Sequence, residues 1–138
     1  MGVGIGVPAM MSEKSASYYA RYLRNVALAE KMDNEFPDHE GWTSVIRFYA
    51  AVHLMNAYLV DKKGVRFDPE SADHAERTRA MARCPELRDA PRVYRWLKDL
   101  SEVVRYRMNY DYSEADRKES IAWLEKIVAI VEPKLKRA

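Results

Sequence analysis

Apolar side chains recur at steps of three and four along nearly the whole chain. Nowhere do they alternate with polar ones in the period of two that a half-buried strand requires. The β-branched residues follow the same helical spacing, which restricts the fold to helix packed on helix. Tyr19, Tyr22, Leu23, Val26, Ala29 and Met32 predict the inner face of a first helix over residues 15–34, stopped by Phe36-Pro37. A second helix is expected over 41–62, the most apolar of the set. Val45, Phe48, Val52, Met55 and Leu59 form its core stripe, and Lys62-Lys63-Gly64 supplies a basic last turn and a glycine cap. Ser71 or Asp73 can cap a short third helix that stops at Cys84-Pro85. Pro91 suits the first turn of a fourth, with Val93, Trp96, Leu97, Leu100, Val104 and Met108 inward. Ser113 and Asp116 have the spacing of a capping box before a fifth, which turns Ile121, Leu124, Val128, Val131 and Leu135 to the core. The expected architecture is all-α: an antiparallel up-and-down bundle of four long helices and one short helix.

Residues 15–138 suffice for one helical domain with a single core. Residues 1–14 are expected to form a flexible leader. Its alternating glycines have no strand before them and no acidic residue in a βαβ context after them, so they are not a dinucleotide fingerprint. The start also lacks the basic region and long apolar core of a secretion signal, and no apolar run approaches the roughly 20 residues that span a bilayer. The expectation is a cytoplasmic protein with no membrane partner. Cys84 stands alone, which excludes an internal disulfide and a cysteine-based zinc site. None of His39, His53 and His74 has a glutamate three residues before it, so the di-iron bundle pattern is missing, as is His-Glu-x-x-His. His39 is expected in an exposed acidic turn. No metal and no cofactor is expected.

The formal charge of +2 is too small to announce nucleic-acid binding, but its distribution is uneven. Residues 71–110 carry nine Lys/Arg against six Asp/Glu, whereas 1–70 carry eight against nine and 111–138 six against six. The excess is mostly arginine and surrounds the end of the fourth helix. There Arg105 adjoins the core stripe, so its half-buried guanidinium needs a partner: an internal carboxylate or the anionic oxygen of a ligand. Tyr110 and Tyr112 follow at the helix end, where side chains can project beyond the bundle. His74 and Arg77, about one turn apart on the short third helix, form another pair that can face the same cleft or join an internal salt-bridge network. The second helix contributes a mixed stripe of Trp42, Ile46, Tyr49, His53, Asn56 and Val60 beside its aliphatic one. That stripe lines a polar cleft, packs on a second subunit, or holds hydrogen-bonded core polars.

These residues resemble the HEPN superfamily, helical domains of prokaryotic nucleotide-associated and defence proteins. The likeness rests on Trp42, on Arg47-Phe-Tyr-Ala-Ala-Val-His-Leu-Met-Asn-Ala-Tyr-Leu59, on Ser71-Ala-Asp-His-Ala-Glu-Arg77 and on Leu100-Ser-Glu-Val-Val-Arg-Tyr106, and it covers roughly residues 15–136. Active members of that family are metal-independent RNA-cutting enzymes. Their motif is an arginine followed four to six residues later by a histidine, often with a trailing tyrosine, and two subunits bring their motifs together. Arginine neutralises charge on the scissile phosphate while histidine moves the 2′-hydroxyl proton. By this resemblance Arg105 matches the arginine and Tyr112 the trailing tyrosine, but Tyr110 stands where the histidine belongs. A phenol with pKa near 10 donates a hydrogen bond well and is a poor base at neutral pH.

Arg47 and His53 also have the arginine–histidine spacing, but at about 100° per residue they fall on different faces of their helix. The resemblance therefore implies a homodimeric protein that binds nucleotide, RNA or a partner nucleotidyltransferase. Arg105 and Tyr110 occupy its degenerate catalytic positions, and Arg77, His74, His53, Tyr49 and Tyr112 are candidate anion-binding residues. The alternatives are an endoribonuclease, toxin-like, that recruits His53 or His74 to Arg105, and a purely structural dimeric bundle.

Overall fold

The computed structural model describes residues 11–67 and 74–135, and among these it is helical with no strand. Helix α1 spans Glu13–Glu35, α2 Trp42–Lys63, α3 His74–Ala82, α4 Ala90–Tyr106 and α5 Glu114–Leu135, with a single 3-10 turn at Pro85–Leu87. The four long helices and one short helix match the expected bundle. None of the described helices is long and apolar enough to cross a membrane.

Helix α2 is the axis of the molecule. Fourteen of its 22 residues are buried, more than one face can supply, because α1, α4 and α5 all pack on it. The expected stripe of Val45, Phe48, Val52, Met55 and Leu59 is buried throughout. Small residues on its other sides, Ala50, Ala51 and Ala57, let the neighbouring helices approach closely. The helix ends at Gly64, whose φ of 65° is the left-handed conformation that closes a helix at low cost, and Val65 N–H donates back to Leu59 O at 3.1 Å.

The ends of the helices are fixed by side chains. Ser12 Oγ accepts from Ser15 N–H at 3.2 Å, so α1 starts two residues before the expected position. Of the expected leader, residues 1–10 lie outside the described residues, while Met11 packs on the core and Ser12 to Lys14 belong to the helix start. The proposed caps Ser71 and Asp73 also lie outside the described residues. At α5, Asp116 N–H donates to Ser113 Oγ at 3.1 Å and Ser113 N–H donates to the Asp116 carboxylate at 3.0 Å, a reciprocal capping box.

Three expectations about the core need correction. Trp96 and Met108 were expected inside but are 41% and 99% exposed. Helix α4 ends at Tyr106, so Met108 is outside the helix, and the buried face rotates to take in Tyr94 and Ser101 instead. In α5 the buried positions are Ser120, Leu124, Ile127, Val131 and Leu135, which leaves Ile121 and Val128 half-buried at the α1 side. His39, expected in an exposed turn, keeps only 5% of its side chain exposed.

Candidate functional site

The last turn of α4 carries Arg105 to the rim of a cleft of about 520 Å³ between the α4–α5 connection and the start of α2. Its Nε donates to Ser101 O one turn back at 3.3 Å, and Nη1 donates to the Tyr49 hydroxyl at 3.1 Å. The guanidinium carbon lies 5.0 Å from the Tyr106 ring centroid and 5.7 Å from that of Tyr49. Both hydrogen-bond acceptors are neutral. Among the described residues no carboxylate comes within ion-pairing distance of Arg105, and the nearby Glu102 is held by Lys98 at 2.8 Å. A half-buried guanidinium with oriented braces and no ion-pair partner among the described residues is the arrangement a phosphate oxygen needs. Trp42, Arg107, Tyr110 and Tyr112 also line the cleft, as do two acids, Glu40 and Asp111. The attraction for an anion is therefore local to the two arginines and does not extend over the whole cavity.

Tyr110 does not replace an imidazole chemically. Its hydroxyl donates to the Asp116 carboxylate at 2.8 Å, and burial followed by that hydrogen bond pushes its pKa up to about 12. The group is a fixed proton donor. Tyr112 does not project from the bundle; it folds back, with its hydroxyl 2.5 Å from Ser44 Oγ and its ring edge-on to His39 at 5.9 Å between centroids. Gly41 makes this possible. With φ of 94°, it presents bare backbone to the Tyr112 ring, and a Cβ there would sit 2.7 Å from Tyr112 Cδ1.

The remaining candidates divide into two groups. His74 belongs to the neighbourhood of Arg105: burial, then Arg77, Lys98 and Arg105, lower its pKa and keep the ring neutral. Its Nδ1 accepts from Arg77 at 3.0 Å. Arg77 itself is 4% exposed, with Nε donating to Asn56 Oδ1 at 2.7 Å and the guanidinium over Phe67, so it is an internal cation and His74 and Asn56 are its acceptors. Within the mixed stripe of α2, Asn56 thus helps to seat α3. His53 faces the other way, stacked on Tyr18 with ring centroids 6.4 Å apart. Burial first, then Arg21, Arg77 and Arg24, lower its pKa to about 4, and its buried Nδ1 has no hydrogen-bond partner among the described residues.

A second polar centre, not foreseen from the sequence, lies behind Tyr112, whose ring contacts His39. The Asp33 carboxylate accepts from Arg47 in a short buried ion pair, from Thr43 Oγ1 at 2.8 Å and from His39 Nε2 at 2.8 Å, with Arg117 at 3.7 Å. Gly41 N–H donates to His39 Nδ1 at 3.0 Å, which fixes the tautomer with its proton on Nε2, toward Asp33. Burial would raise the Asp33 pKa, but the hydrogen bonds from Arg47 and Thr43 outweigh it and the net shift is downward. The available signal was Thr43 and Arg47, one turn apart at the start of the most buried helix: an arginine placed there requires an internal acid. Among the described residues no group of three or more His, Cys, Asp and Glu side chains is placed to hold a metal ion.

No protein-family model matches this chain, and no curated protein or solved structure matches it.

Proposed function

We propose that this protein is a HEPN-like helical domain that receives the phosphate of a nucleotide or RNA at Arg105, in the cytoplasm, with little or no catalytic activity. The observation that carries the reading is the setting of Arg105: braced by Tyr49 and Ser101, in no ion pair among the described residues, and open to a cleft. Weak chemistry follows from Tyr110, whose phenol is held protonated by Asp116 at the position where the resembled family carries its histidine. The homodimer and the nucleotidyltransferase partner belong to the resemblance. Exposed Trp42, Tyr106 and Met108 near the cleft supply apolar surface for such a contact.

A second reading, a toxin-like endoribonuclease, is favoured by one feature: His74 lies in the field of Arg105, and burial first, then Arg77, Lys98 and that arginine, hold its pKa below the ordinary histidine value. In that scheme His74 would take the 2′-hydroxyl proton, but its Nδ1 is already occupied by Arg77. One assay separates the two. Purified protein is incubated with end-labelled single-stranded RNA in chelator, with binding measured in parallel. The non-catalytic reading expects binding that weakens with salt and with Arg105→Ala, and no cleavage above background. Rapid cleavage lost in His74→Ala would establish the enzyme instead.

A further inference from the structure

A second groove, of about 550 Å³, runs along the outside of the bundle between α4 and α5, independent of the anion-binding reading. Its floor follows from helical spacing. Trp96, Leu100 and Val103 are on one face of α4, and Asp116, Glu119 and Trp123 on the facing stripe of α5. The two indoles come within 6.0 Å between centroids at an interplanar angle of 49°, and Trp96 remains 41% exposed. Trp123 is half-buried and packs on the core, so Trp96 supplies most of the exposed apolar area here.

The charged side chains that line this groove are all acidic. Asp99, Asp116 and Glu119 line it, and no lysine or arginine does. Asp116 is already engaged by Tyr110 and by Ser113 N–H. Asp99 and Glu119 are exposed and form no ion pair among the described residues. They stand beside indole faces that suit a guanidinium. Trp96 shows this within the chain itself, since Arg92 lies over its ring at 5.4 Å. The protein as a whole carries a net charge of +2, so bulk electrostatics repel a cation, and the acidity here is local.

We infer that the α4–α5 groove is a docking site for an arginine-rich segment of a partner protein, whose guanidinium groups pair with Asp99 and Glu119 beside Trp96 and Trp123. Apolar residues between the arginines would cover Val103 and the exposed part of Trp96. Tyr110 lines both this groove and the Arg105 cleft, so an occupant here touches the residue that walls the phosphate site.

The test uses the full chain and a fluorescein-labelled peptide of alternating arginine and leucine, read by fluorescence anisotropy. A glutamate–leucine peptide and a single-stranded RNA oligomer of similar length serve as the other arms. Saturable binding of the basic peptide is expected, weakened at least tenfold by Asp99→Lys with Glu119→Lys and several-fold by Trp96→Ala. The charge-matched pair Glu13→Lys with Glu35→Lys, both remote from the groove, should leave affinity within twofold. The inference is overturned by no saturable binding, or by equal losses in the two charge-reversed proteins, which would mean diffuse attraction only. It is also overturned if Asp99→Lys with Glu119→Lys abolishes RNA binding while leaving the peptide unaffected. Because both reversed carboxylates are exposed and unbonded, loss of fold does not confuse the result, and Arg105→Ala should leave peptide affinity unchanged.

Discussion

Arg47 and Arg105 are both arginines drawn into one helical bundle, and they meet opposite fates. Arg47 is 3% exposed and neutralised by Asp33, whose carboxylate is further bound by Thr43 and His39. Arg105 is half-buried and held only by a phenol and a backbone carbonyl, with a cleft before it. The difference teaches which arginine is structural. A cation deep in the fold requires a carboxylate, because leaving it unpaired costs several kcal/mol. A cation at a cleft can keep its charge available because water screens it until a ligand arrives.

The largest effect should come from breaking the closed centre. Asp33→Ala leaves Arg47 buried and unpaired and is expected to cost about 3–5 kcal/mol in urea unfolding. The carboxylate's contribution is present above its ordinary pKa of 3.8 and is lost as pH falls through the lower folded value, so the variant should differ least from wild type in strong acid. A loss below about 1 kcal/mol would mean that Arg47 finds water or another acid.

Next comes the joint between the two regions. Gly41→Ala puts a methyl group 2.7 Å from Tyr112 Cδ1 and 2.9 Å from Val104 Cγ2, at a φ that alanine resists. A loss of about 1–3 kcal/mol is expected, together with weaker anion binding, because Tyr112 and Val104 both line the Arg105 cleft. If stability falls while anion affinity is unchanged, the closed centre does not shape the open one.

His53 gives a smaller effect of distinct sign. Its folded pKa of about 4 lies below the ordinary 6.5, so the unfolded chain binds a proton that the native ring refuses. Its contribution is complete above pH 6.5 and declines as pH falls toward 4. His53→Phe also removes a buried Nδ1 with no partner among the described residues, so it should flatten that decline and leave stability at pH 7 equal or slightly higher. An unchanged slope between pH 6.5 and 4 would assign the titration elsewhere. Smallest of all, Arg105→Ala should change unfolding free energy by less than about 1 kcal/mol while removing anion binding. A large stability loss would make Arg105 a second Arg47.

The bundle was legible because its signal is redundant: every long helix repeats the spacing of its core residues, and Gly64 and the Ser113–Asp116 pair mark their ends locally. Arg105 was legible because an arginine beside a core stripe and next to tyrosines has few possible settings. The Asp33 centre was not. It joins the end of α1, the α1–α2 turn, the start of α2 and Arg117 of α5, and no local pattern announces that such distant residues meet. The rotated face of α4 escaped for a related reason. Spacing alone does not say whether Tyr94 or Trp96 turns inward when both are large and apolar, and the choice rests on what α2 presents. The return of Tyr112 onto Gly41 likewise depends on a tertiary contact between residues far apart in the chain.

The most direct test is to follow the arginine side-chain Nε–H resonances by NMR while a short single-stranded RNA is added. The Arg105 resonance should shift progressively and saturate with the RNA, while that of Arg47, closed off by Asp33, stays in place. An Arg105 resonance that does not move while RNA binds would contradict the account, because the phosphate would then be received elsewhere.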